Sequence, residues 1–185
     1  MGGPTILLLP GLYNSGAGHW QTIWEQALPG AVRVPQQSWD RPQRDDWVAS
    51  LAAAVSAVDG PVVLAAHSLG CALTAWWVSL GMPGVDVAAA DKVRGALLVA
   101  PPDVARMDFP APSFAPMPVM RFPFTCEVIA SSNDPWCGMA VAQEWAGRWG
   151  AGFHNIGAKG HINGDSGLGG WEQGRDWLKQ LGAVI

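Results

Sequence analysis

Residues 62–71 read VVLAAHSLGC: Val62, Val63, Leu64, Ala65 and Ala66 run unbroken into His67, Ser68, Leu69, Gly70 and Cys71. Five apolar residues in a row suit a strand buried on both faces, and the apolar stretch from Leu69 to Leu80 has helical length. The chain therefore passes from strand to helix with one hydroxyl at the join. An ordinary loop would be looser and more polar. A serine in that setting matches the nucleophile elbow, G-x-S-x-G, whose sharp turn crowds the residues two before and two after it. Here those residues are Ala66 and Gly70, so alanine stands where the broad pattern has its first glycine. The competing reading is a serine that merely caps the helix. What else the chain supplies decides between them.

Short apolar runs alternate with helical patterns on either side. Thr5–Leu9, Ala31–Val34, Val62–Ala66, Arg94–Ala100, Cys126–Ala130 and Phe153–Ile156 are the expected strands. Trp20, Ile23, Trp24, Ala27 and Leu28 repeat at helical spacing. So do Trp47, Val48, Leu51, Val55 and Val58, with Asp45 and Asp46 near that helix's positive end. Leu69–Leu80 stops at Gly81, before Pro83. Met139, Ala142, Trp145, Ala146 and Trp149 mark a further helix, and Trp171, Gly174, Leu178 and Leu181 the closing one. Apolar strands joined by helices predict an α/β fold. The expectation is one compact domain over residues 1–185, with a mainly parallel sheet of about six strands and helices on both faces. Ligands of such sheets sit outside the carboxyl ends of the strands.

A serine hydroxyl needs a base within hydrogen-bond reach, and the base needs an orienting group. In this architecture the chain order is serine, acid, histidine. Asp134 follows a strand end in VIASSNDPWC, and His161 follows the last strand in NIGAKGHINGD. Alone, Asp134 reads as a turn residue and His161 as a loop histidine. Together with Ser68 they put three groups at three strand ends in the required order, which predicts a catalytic triad. The other histidines compete less well. His67 adjoins the serine and packs near the elbow, His19 opens the first helix as a structural residue, and His154 lies in a strand. Asp165, close behind His161, is the fallback acid.

An oxyanion requires two preorganised donors. The N–H of Leu69, just after the serine, is one candidate. The other is the N–H of Leu12 after the first strand, with Gly11 letting the backbone approach. Residues 101–123 break the alternation with seven prolines, interleaved with Met107, Phe109, Phe114, Met117, Met120 and Phe122. Proline excludes regular helix or central strand there. The apolar content suggests a lid or pocket wall over the sheet edge.

Composition narrows the function classes. Apolar residues make up 49% and charged ones 14%, enough for a substantial core. Eleven tryptophans against one tyrosine read chiefly as core filling. A net charge of −4 without a basic cluster argues against nucleic acid. Four histidines and three cysteines show no metal-ligand spacing. Glycine-rich stretches lack the Gly-Lys-Ser/Thr of a phosphate loop, so no cofactor is expected. MGGPTILLLPG reads as a first strand rather than a signal peptide, and no stretch reaches membrane-spanning length. An odd cysteine count without a framework points to a cytoplasmic setting. Nothing in the sequence speaks to oligomeric state.

LPGLYNSGAGHWQTIWE, AAHSLGC, SSNDPWC and GHIN, in that order and spanning nearly the whole chain, resemble the small α/β-hydrolases of the RBBP9/YdeN-type serine hydrolase family. The resemblance implies an α/β-hydrolase fold without the first antiparallel strands of larger relatives. It also implies a Ser-Asp-His triad at Ser68, Asp134 and His161, and hydrolysis of small esters or amides. The expected function is therefore a serine hydrolase acting on small acyl esters. A peptidase or amidase with the same triad, or a binding module that kept the fold without turnover, are the alternatives.

Overall fold

The computed structural model describes residues 3–86 and 91–185; Met1 and Gly2, which begin the expected first-strand stretch, lie outside them, as do residues 87–90. Six strands form one sheet: β1 Thr5–Leu9, β2 Ala31–Arg33, β3 Val62–His67, β4 Val93–Val99, β5 Thr125–Ala130 and β6 Gly152–Asn155. Their spatial order is β2-β1-β3-β4-β5-β6, and every pairing is parallel. The helices are α1 Trp20–Ala27, α2 Arg44–Ser56, α3 Leu69–Ser79, α4 Met139–Trp149 and α5 Glu172–Gln180. The predicted α/β-hydrolase fold is thus what the chain adopts. The sixth strand starts one residue earlier than expected. Glycine packs no side chain and so hides a strand end, yet Gly152 pairs with Glu127. Ile156 still donates its N–H to Ala130 O at 3.0 Å.

Alternation along each strand sorts the core into two layers. Leu7, Leu9, Leu64, Ala66, Leu98 and Val128 pack with α2, α3 and α4. Ile6, Leu8, Val63, Ala65, Leu97 and Ile129 pack with α1 and α5. Both faces are covered, which is why the strands read as continuous apolar runs rather than alternating ones.

The tryptophans do more than fill volume. Trp20, Trp24, Trp47, Trp77 and Trp149 are buried, and each indole N–H donates to a loop carbonyl: Ile162, Gly170, Ser38, Pro83 and Pro118 respectively. An indole buried at its apolar body thus pins irregular backbone at its polar edge.

From β1 the chain moves outward to β2, then returns to lay β3 on the other side of β1. The loops after β1 and β3 therefore diverge at this switch point, where open α/β sheets bind ligands. They carry Gly11-Leu12 and Ser68.

Candidate active site

Ser68 sits between β3 and α3 with φ 52° and ψ −119°. A positive φ in a residue with a Cβ costs on the order of 1–3 kcal/mol and persists only where its surroundings impose it. Here the Ser68 N–H donates to Val99 O at 2.9 Å, and Ser68 O accepts from Cys71 N at 2.8 Å. The crowding at the elbow is also measurable. A Cβ on Gly70 would lie 2.2 Å from Leu9 O, so only glycine lets α3 cross β1 this closely. Ala66 is fully buried in the layer beneath α3, and the fold accommodates its methyl group.

The three expected residues come together. His161 Nε2 lies 2.7 Å from Ser68 Oγ. His161 Nδ1 lies 2.9 and 3.0 Å from the two Asp134 oxygens. The carboxylate can only accept, so Nδ1 carries the proton and bare Nε2 accepts from the serine hydroxyl. The Asp134 side chain is 3% exposed and that of His161 12%, so water hardly competes for either contact. Asp134 Oδ1 also accepts from the Trp136 N–H at 2.9 Å. Asp165, the fallback acid, lies exposed at the cavity rim, and the His161 ring is bonded to Asp134 instead.

Two loops hold that geometry, and sequence reasoning assigned no role to the residues that tie them. Asn133 Oδ1 accepts from Gly160 N at 2.7 Å and from Ser131 Oγ at 2.9 Å. Ser131 Oγ in turn accepts from Lys159 N at 2.9 Å. The acid-bearing loop after β5 is thereby stitched to the residues just before His161. The only sequence signal was proximity: SSND contains both donors and acceptors beside Asp134.

Leu12 and Leu69 both line the cavity at Ser68. Among the described residues neither N–H is used in a hydrogen bond, whereas Tyr13 N donates to Trp39 O and Asn14 N to Gly11 O. Leu69 is the first residue of α3, where helical amides lack intrahelical partners. A Cβ on Gly11 would lie 2.9 Å from Ser68 Cβ, so glycine lets this loop close on the elbow.

The cavity holds about 520 Å³ and is walled by Leu12, Tyr13, Phe109, Pro110 and Trp136. Within the proline-rich segment three side chains are anchored inward: Phe114 is fully buried, and Met117 and Phe122 nearly so, whereas Val119 and Met120 are exposed. Met107 alone projects completely into solvent. His19 and His67 line the cavity with little of either residue exposed. Burial, helped by Arg33 and then His161, lowers His19 to about 4. Burial, followed by the neighbouring His19 and His161, holds His67 well below its ordinary range. Both rings are thus neutral near pH 7. Among the described residues, no group of three or more His, Cys, Asp or Glu side chains is placed to hold a metal ion. No described helix is long and apolar enough to cross a membrane.

A family model described as serine hydrolase matches residues 6–180. Among solved structures, a YdeN-like hydrolase from Pectobacterium atrosepticum is 32% identical, with a TM-score of 0.81 over 97% of this chain and 89% of that one. The ydeN gene product of B. subtilis has a TM-score of 0.73 at 16% identity, covering 96% and 98%. A thermophilic esterase from Thermogutta terrifontis has a TM-score of 0.67 at 14% identity, covering 98% and 91%. The last two likenesses are of fold. No curated protein sequence matches this chain.

Proposed function

The chain belongs to the serine hydrolase family, and from that premise we propose that it cleaves small acyl esters with Ser68, His161 and Asp134 as its catalytic triad. One observation carries this reading: the continuous line from the Asp134 carboxylate through His161 Nδ1 and Nε2 to Ser68 Oγ, with contacts of 2.9, 3.0 and 2.7 Å. His161 Nε2 takes the Ser68 proton as Oγ bonds to the acyl carbon. The carbonyl oxygen becomes an oxyanion and accepts from the Leu12 and Leu69 N–H groups; losing one such donor costs about 2.7–4 kcal/mol in the transition state. When the tetrahedral intermediate collapses, the C–O bond to the alcohol breaks and the alcohol leaves with the proton from His161. Water then attacks the acyl-enzyme, giving a proton to His161, which passes it to departing Ser68 as the carboxylic acid is released. Asp134 stays ionised throughout and holds the Nδ1–H tautomer.

The cavity favours an apolar acyl group of modest size. Phe109, Pro110 and Trp136 offer it flat apolar walls. The proline-rich segment 101–123 serves as a fixed pocket wall rather than a lid, because its Phe114, Met117 and Phe122 anchors are locked in the core. The small-molecule substrate is the only partner proposed. Three free, buried cysteines support a cytoplasmic setting.

Matched ester and anilide substrates, given to the natural protein and to Ser68→Ala, test the reading. Ester turnover is expected to exceed anilide turnover, and Ser68→Ala to lose on the order of 10⁴-fold or more in kcat. Equal or faster anilide cleavage would make the protein an amidase. Ester turnover that survives Ser68→Ala would remove the serine from the mechanism.

A further inference from the structure

His19 and His67 form a hydrogen-bonded pair in the wall of the cavity that Ser68 and His161 also line, and their hydrogen bonds have a fixed direction. The Gln21 N–H donates to His19 Nδ1 at 3.1 Å. That nitrogen must be bare, so the His19 proton sits on Nε2. His19 Nε2 lies 3.3 Å from His67 Nδ1, which must accept in turn. The remaining His67 nitrogen, Nε2, lies 2.8 Å from the backbone carbonyl oxygen of His161. A carbonyl only accepts, so this end too demands a proton on Nε2. A backbone donor at one end and a backbone acceptor at the other thus select the same tautomer for both rings. Each residue is 5% exposed, and an added proton on either ring would set two N–H groups against each other.

The backbone held by this pair needs holding. Ile162, directly after His161, has φ 48°, a conformation costly for a β-branched residue. Its carbonyl accepts from Trp20 Nε1 at 3.0 Å. Two consecutive carbonyls are therefore gripped, by His67 from the elbow and by Trp20 beside His19. The His67 and His161 ring centroids are 4.9 Å apart, so a charge on His67 would face the imidazolium that forms during catalysis.

Building on the hydrolase reading above, we propose that His19 and His67 are neutral positioning residues: a paired-imidazole strut that fixes the His161 backbone, aims its ring at Ser68 and keeps a second positive charge away from it. Neither touches the reacting atoms. The sequence placed both as structural residues, and the strut gives that structure a purpose in catalysis.

Long-range ¹H–¹⁵N correlation spectra of the natural protein near neutral pH test the strut without any substitution. Both rings are expected to show a protonated Nε2 and a bare Nδ1. A proton on Nδ1 of either ring would overturn the proposal. Kinetics of His67→Phe and His67→Gln test the positioning role. Displacement of a reacting group by about 1 Å can cost on the order of 100-fold, so His67→Phe should lower kcat by about that factor with KM unchanged. His67→Gln, whose amide N–H reaches the same place, should recover most of it. Full activity in His67→Phe, or equal losses in both variants, would contradict the role; if His67→Phe does not fold, the ring assignments and His67→Gln still decide. Fluorophosphonate labelling of the natural protein separates the two readings. Without labelling at Ser68 the hydrolase reading fails, whereas the ring tautomers stand or fall independently.

Discussion

Ser68 alone could have been a helix cap, and its φ of 52° removes that option, because a capping residue has extended backbone and its side chain reaches back to the helix amides. No such side-chain bond exists here, and the hydroxyl is turned toward His161. At the other end of the line, Asp134→Asn should lower kcat by about 10⁴-fold with little change in KM. An amide can present N–H₂ to the ring and favour the tautomer whose Nε2 cannot accept the serine proton. Steady-state kinetics checks this, and retention of activity would assign the orienting role elsewhere. Ser68, Asp134 and His161 were legible because each follows a strand end in a fixed chain order. His19 and His67 were legible only as histidines near the elbow, since the direction of a hydrogen-bond chain depends on which backbone groups stand at its ends.

Between elements, the closest approach is α3 over β1. Gly70→Ala would drive a methyl group to 2.2 Å from Leu9 O, backbone that cannot rotate away. Overpacking of this kind costs about 1–3 kcal/mol, and at this chain length each kcal/mol lowers Tm by about 2–4 °C. Thermal unfolding of Gly70→Ala should therefore show a loss of several degrees; an unchanged Tm would mean that α3 is free to shift. The stitched loops after β5 and β6 give a different signature. Asn133→Ala removes the acceptor for Gly160 N, whose bond is exposed, and for Ser131 Oγ of a buried serine. It should reduce kcat by about 10-fold or more through misplacement of His161, and lower Tm by a few degrees because a buried hydroxyl loses its acceptor. Strand and helix centres were readable from periodicity. The packing of the proline-rich segment was not, because nothing in its spacing tells Phe114, which is fully buried, from Met107, which is fully exposed.

Across the whole molecule, a parallel order with a switch between β1 and β3 brings residues 12, 68, 134 and 161 to one sheet edge. The same folding buries two neutral imidazoles, with a consequence for stability. His19 has an ordinary value of 6.5 when unfolded and about 4 when folded, so the unfolded chain binds the extra proton between those values. Stability from this group is complete above about pH 6.5 and falls as pH drops toward 4, by about 3 kcal/mol at 1.36 kcal/mol per unit. His67, shifted in the same direction, adds to the loss. Urea unfolding at a series of pH values should show the midpoint falling through that window; a midpoint that rises or stays level would mean that the rings are charged in the folded state. The central claim is that folding makes one serine out of the whole chain nucleophilic. Its most direct measurement is mass-spectrometric mapping after treatment of the folded protein with a fluorophosphonate. We predict a single adduct on the peptide carrying Ser68, lost on prior unfolding; an unmodified Ser68, or an adduct on another residue, would contradict the account.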